Sequence, residues 1–359
     1  MSKTPAFERA ADKATSGDRI DYEEGLALLQ NASLLSLASW ANRKRMAMHP
    51  DPIVTFVVDR NINYTNVCMS GCRFCAFYCA ENDPQAYVLS KAELKHKIEE
   101  TLALGGTQIL LQGGMHPRLD LEFYLDLLGF IKDNFEIHIH GFSPPEIAFM
   151  AKKSGLGIKE VIQKLMRAGL NSIPGGGAEI LADDIRQKVS PHKGSAAEWL
   201  KVMHTAHELG LKTTATMMFG HMENQNHIIE HLLKIRDLQD LTGGFTAFIP
   251  WTFQPQHTDI DLQAATSVEY LKVLAVSRLM LDNVANLQAS WVTQGDKIAQ
   301  VALQFGANDF GSTMIEENVV AAAGVHYQLP KKDIIRLIKD AGYQPVQRDC
   351  FYRHIKIER

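Results

Sequence analysis

Three cysteines stand in the run Asn66-Val67-Cys68-Met69-Ser70-Gly71-Cys72-Arg73-Phe74-Cys75, a Cys-x3-Cys-x2-Cys spacing that puts three thiolates on one short loop. Three is an unusual number. Structural zinc is normally closed by four protein ligands, and ordinary iron–sulfur clusters are held by four cysteines. A four-iron cluster on Cys68, Cys72 and Cys75 keeps one iron without a protein ligand, free to bind a substrate or cosubstrate. That arrangement predicts a cluster that does chemistry. Cys79 could supply a fourth sulfur to zinc, which stays open as an alternative; Cys79 and Cys350 otherwise read as structural.

Histidines make a second group. His138 and His140 alternate with Ile137 and Ile139, so both imidazoles share one face of a strand. A hydrogen-bonded core histidine is the favoured reading of His138, while His140 lies closer to the strand end and suits proton transfer near neutrality. His227 and His231 have the i, i+4 spacing that can bind zinc. They lack an acidic partner pattern and read as exposed or capping residues. Asp309 stands at the end of the last predicted strand, where it could bind ribose hydroxyls or cap a loop.

Elements must position these groups. From about residue 50 the chain alternates β-prone and amphipathic segments. Strands are expected at Asn61–Val67, Thr107–Gln112, Glu136–Gly141, Leu170–Pro174, Lys212–Met218, Gly244–Pro250, Asn286–Trp291 and Gly306–Phe310. Capping boxes at Ser90-x-x-Glu93, Ser195-x-x-Glu198 and Thr266-x-x-Glu269 start helices, and Gly105-Gly106, Gly169, Gly210 and Gly243-Gly244 stop them. Eight such units predict an α/β fold, a closed (β/α)8 TIM-type barrel over residues 51–330, with chemistry at the carboxyl ends of the strands. A doubly wound sheet is the alternative; no Gly-x-Gly-x-x-Gly turn supports it. Residues 1–50 form an N-terminal helical extension (Tyr22–Met46 reads as helix), and residues 331–359 a C-terminal helical tail with an irregular end.

Composition narrows the class. With 359 residues, 46% hydrophobic, the chain can bury a large core. A net charge of −4 carries no basic footprint, so no nucleic acid is expected. No apolar run reaches the length of a membrane span, and no signal core follows Met1. Five cysteines, four of them between 68 and 79, do not form a disulfide framework. Free thiolates suit a reducing, cytoplasmic setting.

Cys68, Cys72, Phe74 and Cys75 match Cys-x3-Cys-x-aromatic-Cys, and through them the chain resembles the radical S-adenosylmethionine superfamily. The resemblance implies a [4Fe-4S] cluster whose open iron chelates S-adenosylmethionine, which on reduction yields a 5′-deoxyadenosyl radical. Asn61–Cys68, Phe74–Tyr78, His140–Glu146 and Pro174–Glu179 are similar to the branch that makes menaquinone and deazaflavin precursors. Within it, Gly220-His221, Phe248–Pro255, Trp291–Gly295 and Gln347-Arg348-Asp349 are most similar to cyclic dehypoxanthine futalosine synthases. FO synthase subunits usually read Pro-Gly-Thr-Ala in place of Pro174–Gly177 and Trp-Val-Lys in place of Trp291–Thr293. Aminofutalosine synthases share the triple glycine but differ around Gly306–Asn318. Cyclic dehypoxanthine futalosine synthases commonly have Arg after Phe-Tyr, where this chain has Cys79, so a basic contact would have to come from elsewhere, such as Arg73 or Lys91.

The resemblance implies a radical cyclase of menaquinone biosynthesis. It would take hydrogen from C4′ of dehypoxanthine futalosine and add the carbon radical to the benzoate ring. It further implies a small-molecule substrate and an electron donor such as flavodoxin or ferredoxin. Phe74, Gln112, Gly113, Gly114, Glu179 and Met218 would bind the cosubstrate: the glycine turn its ammonium, Glu179 its ribose, Phe74 and Met218 its adenine. Ser143, Trp291 and Thr293 would bind the substrate, His140 would bind the substrate carboxylate or take the rearomatisation proton, and Asp309 would contact ribose. Aminofutalosine synthase, an FO synthase subunit, or a non-catalytic iron–sulfur or zinc-binding module are the competing readings.

Overall fold

The computed structural model describes residues 4–325, 327 and 329–358. Two strands open the α/β core: β1 (Ile53–Val57) and β2 (Asp59–Asn63), separated at Val58. There follow β3 (Gln108–Gln112), β4 (His138–Gly141), β5 (Ser172–Ile173), β6 (Lys212–Phe219), β7 (Phe245–Thr252), β8 (Asn286–Leu287), β9 (Asp309–Ser312), β10 (Gln344–Arg348) and β11 (His354–Ile357). Strands β2 to β8 pair in sequence order as one parallel seven-stranded sheet, with helices in every connection.

The sheet is buried on both faces, and strand parity decides which side chains meet the site. On β3, Ile109 and Leu111 are sealed in the core, whereas Gln108, Leu110 and Gln112 line the interior cavity. Likewise Asp59, Asn61 and Asn63 of β2 and Thr214 and Thr216 of β6 line it, while Ile62, Ala215 and Met217 pack outward.

The closed eight-stranded barrel expected from the sequence is corrected here to a curled seven-stranded parallel sheet. The eighth strand, β9, belongs to a separate four-stranded sheet of order β11-β10-β1-β9. It pairs with β1 through Thr55↔Asp309 and Val57↔Ser312, and meets the β8 side through an isolated bridge, Gln288↔Asp309. The cause lies in two segments whose β content the sequence pattern hides. Ile53–Val57 precedes the first expected strand, and Gln344–Arg348 lies in the supposed helical tail yet runs parallel to β1. The tail is therefore one helix, Lys331–Asp340, followed by two strands. Trp291, expected to end a strand, instead opens the helix Trp291–Ala302.

Capping follows expectation at Ser90–Glu93 and Thr266–Glu269, where both reciprocal bonds form. Ser195 caps through the Glu198 amide. Tyr22–Met46 divides into Tyr22–Asn31 and Leu34–Met48, because Ser33 caps the second helix. These helices pack tightly on the core: a Cβ on Gly25 would lie 2.5 Å from Met280 Sδ. Arg236 donates to the Ile20 carbonyl at 2.7 Å and Arg45 to that of Ile53 at 2.7 Å.

Candidate active site

A cavity of about 400 Å³ fills the interior of the curled sheet, and Cys68, Cys72 and Cys75 all line it. Their loop starts beyond β2 and is held by main-chain bonds. The Cys68 amide donates to Cys79 O at 3.2 Å, the Cys79 amide to Asn66 O at 3.0 Å and the Arg73 amide to Val189 O at 2.9 Å. All three sulfurs have polar neighbours: Met115 N–H donates to Cys68 Sγ at 3.3 Å, Ser70 Oγ lies 3.0 Å from Cys72 Sγ, and the Phe77 and Tyr78 amides face Cys75.

All five cysteines are free, and Cys79 does not line the cavity. Burial pushes the Cys72 thiol up to about 11, against the pull of Lys193 and Ser70, and raises Cys75 as well. Left as thiols these groups would stay protonated; a coordinated metal displaces the proton outright. Three cysteines lining one cavity, with Cys79 outside its wall, fit a three-thiolate cluster better than a four-sulfur zinc site.

Gln112-Gly113-Gly114 runs directly under this loop. A Cβ on Gly113 would sit 2.5 Å from the Tyr64 ring, and one on Gly114 would collide with the Val67 carbonyl and Cys68 Cβ. The glycines are thus required by close packing against the cysteine loop, a stronger reason than ligand approach alone. Gly114 N–H donates to Thr65 O at 3.1 Å and Met69 N–H to Met115 O at 3.0 Å, so turn and loop move as one piece.

Glu146, not singled out in the sequence, anchors that piece from below. Its buried carboxylate accepts from Tyr64 OH at 2.7 Å, Gly113 N–H at 3.1 Å, Ser143 N–H at 2.7 Å and Ser143 Oγ at 2.6 Å. Ser143 lines the cavity, but its hydroxyl is spent on this carboxylate. Ser-x-x-Glu at 143–146 is a capping-box signature that could have revealed the role.

Glu179 reaches the cavity from a left-handed backbone conformation, φ 42°. Lys193 Nζ lies 2.6 Å from its carboxylate and 5.1 Å from the centre of the Phe74 ring. Burial alone would raise Glu179, but Lys193, aided by Arg186 and His221, holds it below the usual carboxylate range; Lys193 is correspondingly raised despite burial. Lys193 was not foreseen. Of the two cations considered in its stead, Lys91 pairs with Asp126 at 2.7 Å and Arg73 reaches the Asp259 carbonyl at 3.0 Å.

The deep end is polar and crossed by the C-terminal segment. Arg348 grips Asp309 through Nε at 2.6 Å and Nη2 at 3.0 Å, and Thr55 Oγ1 donates to the same carboxylate at 2.6 Å. Asp309 is fully buried and does not line the cavity, so the expected contact with substrate ribose has no opening; the residue ties β9 to the tail. Met218 is also buried outside the cavity wall, its amide donating to Glu179 O at 2.8 Å. Phe74, Gln112, Gly113, Gly114, His140, Ser143, Glu179, Trp291 and Thr293 do share the wall with the three thiols. Trp291 Nε1–H is used on Ser312 O at 2.8 Å, leaving its ring as the available surface. His231 is sealed in the core, its Nδ1 accepting from Leu181 N–H at 3.1 Å, and has no metal-site geometry with His227.

Known proteins resemble this chain over nearly its whole length. Residues 62–235 match the radical SAM superfamily, and residues 242–359 match the CofH/MqnC C-terminal region. A cyclic dehypoxanthine futalosine synthase of Halalkalibacterium halodurans is 44% identical, over 96% of this chain and 94% of its own length. One of Streptomyces coelicolor is 41% identical over 99% and 91%. A 5-amino-6-(D-ribitylamino)uracil–L-tyrosine 4-hydroxyphenyl transferase of Methanocaldococcus jannaschii is 42% identical over 93% and 96%. Among solved structures, the hydrogenase maturase HydG of Carboxydothermus hydrogenoformans superposes with TM-score 0.76 at 15% identity, over 97% of this chain and 80% of its own. Methylornithine synthase gives 0.71 at 20%, over 94% and 97%. At such identities the structural likeness speaks for the fold alone.

Proposed function

Because the chain belongs to the radical SAM superfamily, in the branch carrying the CofH/MqnC C-terminal region, we propose that it is a cyclic dehypoxanthine futalosine synthase acting in menaquinone biosynthesis. Its cofactors are a [4Fe-4S] cluster and S-adenosylmethionine, which when bound supply a hydrogen-abstracting carbon radical. The observation that carries the reading is the shared wall: three thiols, the glycine turn and the Glu179–Lys193 pair face one interior cavity.

The protein's part is positioning and exclusion of water. Cys68, Cys72 and Cys75 would hold the cluster. Lys193 would meet a carboxylate of the cosubstrate and Glu179 its ribose hydroxyls, with Phe74 beside the adenine. Gln112 presents its amide at the same wall. Trp291 offers a ring face to the benzoate and Thr293 a hydroxyl beside it, leaving C4′ of the ribose directed at the cofactor end. His140 stands at the opposite end, where it would receive the proton lost on rearomatisation. An electron donor such as flavodoxin or ferredoxin and a cytoplasmic setting complete the proposal; among the described residues no helix is long and apolar enough to cross a membrane. We divide the chain into the 1–50 extension, the 51–330 catalytic unit and the 331–359 segment.

The transferase relatives support a second reading at nearly equal identity. Gly177 favours the cyclase over an FO synthase subunit, in which Ala is usual at that position: its backbone is left-handed, φ 77°, and a Cβ would strike Pro145, whereas a Cβ on Gly176 would meet only the movable end of Gln112. Anaerobic assays with dehypoxanthine futalosine, or with tyrosine and the ribitylaminouracil, separate the two by product mass. A product two hydrogens lighter than dehypoxanthine futalosine supports the cyclase; a tyrosine-derived adduct instead replaces it with the transferase.

A further inference from the structure

At the amino-terminal end of the curled sheet, Ser172 Oγ lies 2.6 Å from His140 Nδ1 and 2.7 Å from His138 Nε2. Strand pairing enforces this: His140 sits opposite Ser172 across β4 and β5, and His138 shares His140's face two residues earlier. His140 is buried and lines the cavity, its Nε2 only 3.5 Å from Thr214 Oγ1. His138 is half-buried, does not line the cavity, and makes no Nδ1 hydrogen bond to a described residue. Cys350 Sγ approaches Ser172 at 3.4 Å, and Phe351 packs edge-on against His138 with ring centres 5.0 Å apart. The donor atoms of His138, His140 and Cys350 lie within 4.8 Å of one another, but the Ser172 hydroxyl occupies the space among them, making a hydrogen-bond hub.

The other acidic groups lining the cavity are already engaged. Asp59 accepts from Gln108 and Ser312, Glu146 from four donors, Glu179 from Lys193, and Glu317 from the amides of Val319, Val320 and Ala321. Arg348 is locked to Asp309. Among the described groups lining the cavity, His140 has a ring nitrogen with a connected way out; burial, aided by His138 and Arg348, lowers it to about 3, so against the expectation of proton transfer near neutrality it cannot keep a proton and must pass it on.

We propose that His140, Ser172 and His138 form a proton-exit relay from the cavity to the amino-terminal face of the sheet. The inference rests on the cyclase reading, in which rearomatisation releases one proton and one electron inside a closed cavity. The C–H bond of the cyclised ring breaks toward His140 Nε2 as Nδ1–H passes to Ser172 Oγ. The serine's own proton passes to His138 Nε2, and His138 Nδ1–H goes to water. The accompanying electron would go to a one-electron acceptor, a role that an oxidised iron–sulfur cluster held by Cys68, Cys72 and Cys75 would supply. A hydroxyl donates one hydrogen bond, so a working relay requires it to accept from one ring and donate to the other. Both imidazoles must then start as the Nδ1–H tautomer, and the passage of one proton leaves both as Nε2–H. If the serine instead accepts from both rings and donates to Cys350, the tautomers are opposite and no path exists.

Two measurements decide this. Nitrogen NMR of histidine-labelled protein at neutral pH reads the tautomers without turnover; Nδ1–H at both 138 and 140 is expected, and Nε2–H at either overturns the relay. In anaerobic turnover, Ser172→Ala is expected to lower product formed per 5′-deoxyadenosine by about tenfold or more, with Ser172→Thr restoring it. His138→Ala, remote from the cavity, should show the same uncoupling and be rescued by added imidazole, which a packing role would not allow. Unchanged coupling in Ser172→Ala also overturns the relay. Should the wild-type protein convert no dehypoxanthine futalosine, the cyclase reading falls, and the tautomers alone then decide the relay.

Discussion

The Glu179 carboxylate and the Lys193 ammonium meet at 2.6 Å inside the cavity wall, although they belong to segments flanking the short helix Asp183–Val189. Both side chains are largely buried, so each depends on the other to remain charged. The pair stands beside Phe74 and near the thiols of Cys72 and Cys75, joining the cluster loop electrostatically to the β5 side of the site.

Lys193→Met should cost about 3–5 kcal/mol of stability, because it leaves Glu179 buried and unpaired. The pH dependence has a definite sign. The folded-state value of Glu179 is depressed, so its contribution is fully present above the ordinary carboxylate range, near about pH 4.3, and is lost as pH falls through the lowered value. The stability gap between wild type and Lys193→Met, measured by denaturant titration, should therefore narrow on acidification. A gap independent of pH would show that the pair is not responsible.

Cys72→Ala should abolish iron binding on anaerobic reconstitution, and Cys79→Ala should leave it intact. Iron and sulfide analysis with visible absorption checks this. Equal loss in both variants would assign Cys79 to the metal and revive the four-sulfur zinc reading.

Gly114→Ala forces a methyl into the Val67 carbonyl and Cys68. Overpacking of this kind costs about 1–3 kcal/mol, and here the displaced group is the cluster loop itself. Thermal unfolding should shift down by several degrees, and reconstituted iron should fall below one cluster per chain. The contrast is Gly129→Ala, at a position with open space, which should match wild type in both measurements.

Asp309→Asn tests whether this residue acts on substrate or on the fold. Removing the partner of the buried Arg348 should cost about 3–5 kcal/mol and loosen β10, detected as faster hydrogen exchange in Gln344–Arg348. A variant that folds with wild-type stability but no longer turns over would restore a direct catalytic role for Asp309.

Much of this protein is written in local pattern. The Cys-x3-Cys-x-aromatic-Cys loop, the alternating strand and helix segments, the capping boxes at Ser90 and Thr266 and the one strand face shared by His138 and His140 all depend on near neighbours in the chain. Local spacing therefore suffices to read them. Lys193 beside the thiols, Glu146 beneath the glycine turn, the withdrawal of Asp309 into an ion pair with Arg348, and the Ser172 hub depend on partners brought together from distant segments. So does the insertion of β1 and β10 beside β9, which replaces the closed barrel with a curled sheet and a second small one. A carboxylate or hydroxyl in the sequence carries no mark of whether it will face a ligand or a buried donor. The tertiary structure decides that, because burial obliges every polar group to find a partner and the packing determines which partner is within reach.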